Sequence, residues 1–391
     1  MAKSVTSGLK LSERTVCEAL ARRKLATVGA VSADVGISPS TAVAVLARLV
    51  AKERVFRRET FTGGRGRPSY LYGVKLPGAL VAMHWDASRL AGALFDEDAT
   101  TLAMEIVSVR SVKSQTEAAA IANELFHSLR QKASRPVDSC RGLVLSVNAI
   151  ADADGAIYSS LLPWLDRHVA ECFGTATGLQ TRLVPHQGLQ AEFQLLGDSA
   201  PQSMVYLHVA DGVSGRFTAF GKPYAGQSAW AGQLGHLTIE PSGRRCGCGR
   251  RGCLETLCNG LAIVRAAIAA AASPRAPDWL GKAAGLRSPP LVVEEIWRHW
   301  QQRDRSAIAI MDAPLDRLAA AVGVLVNLLD PQQIVAGGYV LQGRQQWIDE
   351  LRKRSQPFVV HGEHRQFSIV SGRAEIQDLL RSIALSPEAM G

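Results

Sequence analysis

Three of the chain's seven cysteines fall within eight residues, as Cys246-x-Cys248-x4-Cys253, in the stretch GHLTIEPSGRRCGCGRRGCLE from Gly235 to Glu255. Zinc prefers four nitrogen and sulfur ligands in a tetrahedron. The three thiolates supply three positions, and His236, ten residues ahead of Cys246, completes a Cys3His set. Gly247, Gly249 and Gly252 let the loop curl round one ion, and Arg244, Arg245, Arg250 and Arg251 offset the thiolate charge. Four protein ligands leave no open position, so a bound Zn2+ would be structural and not catalytic. The alternative is a group of reduced, buried thiols with no metal. Cys17, Cys140, Cys172 and Cys258 are scattered and read as buried thiols.

The segment that carries this loop, residues 76–391, alternates strand and helix patterns. Strands are expected at Leu80–His84, Ala91–Phe95, Met104–Val109, Leu143–Val147, Met204–His208, Phe217–Phe220 and Gln333–Ala336. Helices are expected at Thr116–Lys132, His168–Phe173, Gly188–Leu196, Leu261–Ala272, Val292–Arg303 and Asp312–Leu329, with a last one after Ala374. This is an α/β reading, with no internal repeat at solenoid spacing.

Charge divides the chain. The net charge is +9, and residues 1–75 hold 14 Lys and Arg against 5 Asp and Glu, so the whole excess lies there. A basic segment on a neutral body suggests a polyanion partner, although a solvated basic tail would share the composition. Its pattern is ordered. Ser12 can cap a first helix over 12–25, a short helix follows at Val28–Val35, and Gly36 ends it. Ser38 and Pro39 then start a third helix, in which Ala42, Val45, Leu46 and Leu49 turn inward. Pro39, Ser40, Thr41, Ala44 and Arg48 are left to face DNA. Two short strands at Val55-Phe56 and Tyr70–Tyr72, joined by GGRGRP, make a winged helix-turn-helix. Arg65, Gly66 and Arg67 at the wing tip suit a narrow minor groove. The third helix is poor in charge, so Lys52, Arg57, Arg58 and the wing are expected to supply phosphate contacts with strong salt dependence. A three-helix interaction module with a charged loop is the alternative.

The N-terminus has no apolar core of a signal peptide. The longest uncharged apolar run, roughly Leu318–Leu329, is shorter than the ~20 residues a bilayer requires. A cytoplasmic protein with no membrane partner is expected.

Taken together, these motifs resemble the ROK family (repressor, open reading frame, kinase) of bacterial repressors and sugar kinases. The resemblance rests on the winged helix ending in Gly66-Arg67-Pro68, the hairpin segment YLHVADGVSGRFTAFGKPYAGQSAWAGQLGH, the cysteine motif CGCGRRGCLE and the closing LDPQQIVAGGYV. It implies a two-lobed, actin-like (ribonuclease H-like) body with a ligand cleft between the lobes. The first lobe would span about 76–190 plus the C-terminal helix, and the second about 191–375 with the zinc loop. It also implies a homodimer or homotetramer on a palindromic operator. Within it, one nitrogen of His236 would hold zinc while the other faces a sugar.

The family's kinases carry Asp-x-Gly-Gly-Thr at the phosphate loop, where this chain has Asp86 followed by Ala87, Ser88 and Arg89. They also carry a catalytic Asn-Asp where this chain reads LVPHQGLQAEFQLLG. No Asp lies between Asp166 and Asp198, so the general base is missing from that stretch. On these two losses kinase activity is expected to be absent and the chain not to be an enzyme. Gln233 stands where the family has glutamate, and Glu255 is kept. Gln233, His236 and Glu255 are therefore the expected ligand contacts. The reading is a transcriptional regulator, a repressor of carbohydrate-related genes, with a sugar-like effector in the cleft. The alternatives are a sugar kinase with a DNA-binding domain, a different small ligand, and ligand-independent DNA binding. His236 could equally be a purely structural ligand, and Glu255 a carboxylate at a helix N-terminus.

Overall fold

The structure is a computed structural model. It describes residues 9–385 apart from 24, 61–68, 77, 87, 110–111, 138, 148, 152–156, 160, 186–200, 221, 225, 229, 287, 366 and 373–375. The helix expected at Gly188–Leu196 lies outside the described residues.

The chain opens with α1 (Leu11–Arg23), α2 (Val28–Val35) and α3 (Pro39–Ala51). Thr27 caps α2, and Gly36 ends it in the left-handed conformation at φ 70°. The Ser38 hydroxyl accepts the Thr41 amide at the start of α3, with Pro39 in the first turn. The strands β1 (Val55–Thr60) and β2 (Ser69–Val74) pair antiparallel, from Val55 opposite Val74 to Thr60 opposite Ser69. This is the winged helix-turn-helix, with both strands longer than the two- and three-residue runs expected.

The body contains two five-stranded sheets of the same design. In the first, β3 (Ala79–Trp85) pairs antiparallel with β4 (Arg89–Phe95), which pairs antiparallel with β5 (Thr101–Ser108). On its other side β3 runs parallel to β6 (Cys140–Val147), and β6 runs parallel to β9 (Thr181–Pro185). Between β6 and β9 lie the small pair β7 (Ile150–Ala151) and β8 (Ile157–Tyr158). In the second sheet, β10 (Met204–Val209) pairs with β11 (Val213–Ala219) and β11 with β12 (Lys222–Tyr224), all antiparallel. Parallel β13 (Gln333–Gly337) and β14 (Ile369–Ser371) follow on the other side. The shared order is a structural repeat that no sequence period announced.

Alternation along the strands explains how the first sheet is buried on both faces. Val81, Met83, Leu143 and Leu145 pack under α4 (Gln115–Lys132) and α5 (Val169–Thr177). Leu80, Ala82, Phe95 and Val144 point the other way. There they share one core with Leu379, Leu380 and Ile383 of the C-terminal helix and with Leu20, Leu46 and Phe56 of the winged helix. Each such Leu, Val, Ile or Phe side chain contributes roughly 1.5–3 kcal/mol by leaving water. The winged helix therefore grows out of the first lobe's core.

The second lobe adds α6 (Glu255–Cys258), α7 (Gly260–Ala271), α8 (Asp278–Ala284), α9 (Pro289–Gln301), α10 (Arg305–Leu329) and α11 (Gln345–Ser355). α12 (Ile376–Ala384) then returns to the first sheet. α10 starts seven residues before the expected Asp312. The Asp304 carboxylate caps it by accepting the Ser306 and Ala307 amides, and Pro314 sits inside the helix and not at its start. The short β9, β14, α8 and α11 were not expected from the sequence. Among the described residues, no single helix is long and apolar enough to cross a membrane.

Candidate metal centre, ligand cleft and DNA-binding face

The cysteine loop folds on itself through backbone bonds. The Cys246 amide donates to the Arg250 carbonyl (2.7 Å), Gly249 to Cys246 (3.0 Å) and Gly252 to Arg244 (2.8 Å). Gly252 sits at φ 64°, and a Cβ there would fall 1.5 Å from the Glu240 carbonyl oxygen, so no other residue fits. The turn Leu234–His236 brings His236 to the loop, where Arg250 donates to its carbonyl (2.8 Å).

The ligand atoms of His236, Cys246, Cys248 and Cys253 all lie within 4.8 Å of one another. The Cys246 sulfur is 3.6 Å from His236 Nδ1, and the Cys248 and Cys253 sulfurs are 3.7 Å apart. A tetrahedron with ordinary zinc bond lengths has edges of about 3.6 Å from sulfur to nitrogen and about 3.8 Å between sulfurs. The donor set and its spacing fit one such ion. Burial, with the neighbouring Cys248, Glu255 and Cys253, pushes the Cys246 thiol up to about 12, so a thiolate there needs a cation beside it. Burial, aided by Arg250, also lowers the His236 pKa and keeps the ring a neutral ligand. Glu255, buried at the start of α6, accepts the Val213 amide (3.1 Å) and brings its other oxygen to 3.9 Å from the Cys246 sulfur. It thus ties the loop to β11. Gln233 is half-buried one residue ahead of the Leu234–His236 turn.

The cleft lies where an open α/β sheet places ligands, beyond the C-terminal ends of its parallel strands. Asp86 follows β3, Asp211 follows β10, and Tyr339 follows β13 by two residues. Asp86 holds Arg89 (3.2 Å), with His84 at 3.5 Å. Across the gap the Ser88 hydroxyl donates to the Asp211 carboxylate, whose other oxygen accepts the Tyr339 hydroxyl (2.5 Å). The Arg89 guanidinium lies 5.6 Å over the Tyr339 ring. A Cβ on Gly260 would fall 2.0 Å from the Tyr339 hydroxyl, so glycine makes room for this contact. Burial, and then the nearby Asp86 charge, raise the Asp211 pKa. Burial holds His208 down at about 4, so it is neutral at physiological pH. Asp211, His208 and Tyr339 were missed by sequence reasoning. The available signal was a charged residue at the end of an apolar strand, in Ala210-Asp211-Gly212.

On the winged helix, Pro39, Ser40, Thr41, Ala44 and Arg48 share the exposed side of α3, opposite the buried Ala42, Val45, Leu46 and Leu49. Ser40 and Thr41 lie 2.9 and 2.8 Å from the Ser38 hydroxyl, which fixes their rotamers. Arg57 is exposed and lies over the Tyr70 ring at 5.1 Å. Two cations sit differently from expectation. Arg58 turns to the body and donates to the Asp98 and Ala99 carbonyls (3.2 and 3.1 Å), so its donors serve the junction between winged helix and first lobe. Lys52 is 2.8 Å from both oxygens of the buried Glu13, and Arg48 is 3.7 Å from the same carboxylate. Arg65, Gly66 and Arg67 lie outside the described residues.

The ROK family profile matches residues 83–378. The chain belongs to the ROK family. Among curated relatives, the ROK body is 26% identical over 266 residues to the N-acetylmannosamine kinase of Citrobacter koseri, covering 66% of this chain and 83% of that enzyme. It is 31% identical over 150 residues to the N-acetylmannosamine kinase of Haemophilus influenzae, covering 38% of this chain and 44% of that enzyme, less than half its length. A glucokinase of Thermotoga maritima is 26% identical over 190 residues, covering 48% of this chain and 59% of its own length.

Among solved structures, a ROK family transcriptional regulator described as a homologue of the E. coli MLC protein superposes with a TM-score of 0.66 at 19% identity, covering 97% of both chains. A Streptomyces griseus ROK glucokinase in complex with glucose and AMPPNP gives 0.63 at 20% identity, covering 79% of this chain and 99% of its own. At these identities the structures establish the shared fold. The expectation that the chain is not an enzyme is corrected by the curated relatives, which are kinases and point to kinase activity. The physical weakness of that expectation is visible in the cleft. One of its two grounds counted carboxylates along one stretch, whereas folding sets Asp211, from the turn between β10 and β11, near Asp86.

Proposed function

We propose that this ROK protein is a cytoplasmic DNA-binding transcriptional regulator, a repressor whose operator affinity responds to a sugar-like ligand in the cleft. The observation that carries the reading is the winged helix. Its exposed α3 side holds Pro39, Ser40, Thr41, Val43, Ala44, Ala47 and Arg48, poor in charge, and the whole positive excess of the chain lies in residues 1–75. Those residues would form the DNA-binding domain and 76–391 the effector and oligomerisation body. The likeness along 97% of a ROK regulator supports the same arrangement.

A Zn2+ held by His236, Cys246, Cys248 and Cys253 would be structural. It would fix the loop that carries Glu255 and, through Nδ1, the tautomer of His236, leaving the other ring nitrogen to donate toward a ligand hydroxyl. Gln233 and Glu255 would complete the polar contacts. Two copies of the chain on a palindromic duplex would follow from two-fold symmetry, and the ligand must bind the two lobe arrangements unequally to switch them.

The curated relatives favour a second reading, a sugar kinase that also carries a DNA-binding domain. In that case Asp86, Asp211 and Glu255 are the cleft carboxylates among the described residues, and the raised pKa of Asp211 suits a base. One preparation tests both. Fluorescence anisotropy on the duplex upstream of the protein's own gene, with hexoses and N-acetylhexosamines added, should show binding that a sugar shifts. Absence of any duplex binding would sink the regulator reading. ATP-dependent phosphorylation of a sugar in the same samples would establish the second.

A further inference from the structure

Two large aromatic side chains stand half in water where the lobes meet. Tyr158 ends β8 of the first lobe, and Trp230 lies in the second-lobe loop that leads into Gln233 and His236. They are 46% and 41% exposed, and their rings lie 5.1 Å apart at 50°. Each is held from behind. The Ser159 hydroxyl accepts the Leu161 and Leu162 amides (3.3 and 3.1 Å), turning the chain toward Trp164. The buried Trp164 ring meets Trp85 edge-on at 5.1 Å, one residue before Asp86. On the other side, Arg216 donates to the Ala231 carbonyl (3.0 Å) and the Gly215 amide to the Gly232 carbonyl (2.9 Å), pinning the Trp230 loop to β11.

We infer that Tyr158 and Trp230 form an aromatic gate at the cleft mouth, which stacks on the apolar C–H face of a pyranose ring. The inference rests on the carbohydrate reading above and adds the residues that select the ring. A pyranose has hydroxyls around its rim and C–H groups on its faces. The rim matches the polar groups deeper in, and a face matches an aromatic ring. The two rings come from different lobes and already touch at 5.1 Å, so a sugar stacks on the open face of the pair and not between them, which ties its binding to the seam between the lobes. Sugars with an unbroken C–H face should be preferred over epimers with an axial hydroxyl on that face.

The test is calorimetric titration of full-length protein with D-hexoses and N-acetylhexosamines, comparing wild type with Trp230→Ala, Tyr158→Ala and Trp230→Phe. Each alanine variant should weaken the best sugar about tenfold, and Trp230→Phe should stay within about twofold. Both positions are exposed, so unchanged thermal midpoints are expected and confirm that the variants fold. Alanine variants that bind as tightly as wild type overturn the gate while leaving the carbohydrate reading standing. If wild type binds no sugar at all, the carbohydrate reading fails first and the gate falls with it.

Discussion

Neutralising Glu13 should make DNA binding more sensitive to salt. Its buried carboxylate lies 2.8 Å from the Lys52 ammonium and 3.7 Å from Arg48, at the C-terminal end of α3. In Glu13→Gln the shape is kept and the negative charge lost, so Lys52 becomes available to a phosphate. Each added phosphate contact steepens the slope of log K against log salt by about 0.9. Over a fourfold rise in salt, that is an extra loss of roughly 3.5-fold in affinity for the variant relative to wild type, and roughly 12-fold if Arg48 is released as well. The assay is fluorescence anisotropy on a non-specific duplex at several salt concentrations, since this term does not depend on sequence. The carboxylate also accepts the Lys10 amide (3.0 Å) near the start of α1, so circular dichroism should accompany the titration. Identical slopes from equally folded proteins would refute the reasoning, because neither cation would then be withheld from DNA by Glu13.

Four further outcomes are expected. Purified protein should carry about one zinc per chain, and Cys248→Ser or a strong chelator should remove it and lower the thermal midpoint; metal content and calorimetry check this. Hydrogen bonds from Lys52 and Lys10 depress the Glu13 pKa below its ordinary 4.5. Its contribution to stability is therefore full above that value and lost as pH falls through the lower folded value, a dependence that acid titration of Glu13→Gln should lack. Gly260→Ala should destabilise by about 1–3 kcal/mol because the Tyr339 ring and hydroxyl, 2.0–2.7 Å from the added Cβ, must move, and combining it with Tyr339→Ala should cost less than the sum in chemical denaturation. Leu380→Ala should cost about 2–4 kcal/mol. Because Leu380 shares its core with Leu46 and Phe95, hydrogen exchange should speed up in both the winged helix and the first sheet; a change confined to the body would show that the two do not unfold together.

Local chemistry was legible without the fold. Cys246, Cys248 and Cys253 are close in sequence, so their convergence needs only a tight glycine turn, and His236 follows because ten residues suffice for a short return. The cap at Ser38, the stop at Gly36 and the inward set Ala42, Val45, Leu46 and Leu49 are likewise matters of spacing within a turn or two of helix. The kinase question was read less well, because a catalytic carboxylate need not come from the expected stretch.

Where a charge ends up depends on partners far along the chain. Arg57 and Arg58 are adjacent and identical in type, yet strand alternation leaves one exposed and sends the other to the Asp98 and Ala99 carbonyls. Lys52 is claimed by Glu13, 39 residues earlier. The contact of Ser88, Asp211 and Tyr339 joins three strand ends separated by more than a hundred residues each. The sequence by itself determined the cysteine loop, the helix-turn-helix and the α/β alternation, because periodicity and short-range spacing encode them. Only the tertiary structure decided which cations of the winged helix stay clear of carboxylates and carbonyls and which groups face one another across the cleft, because long-range packing sets those distances.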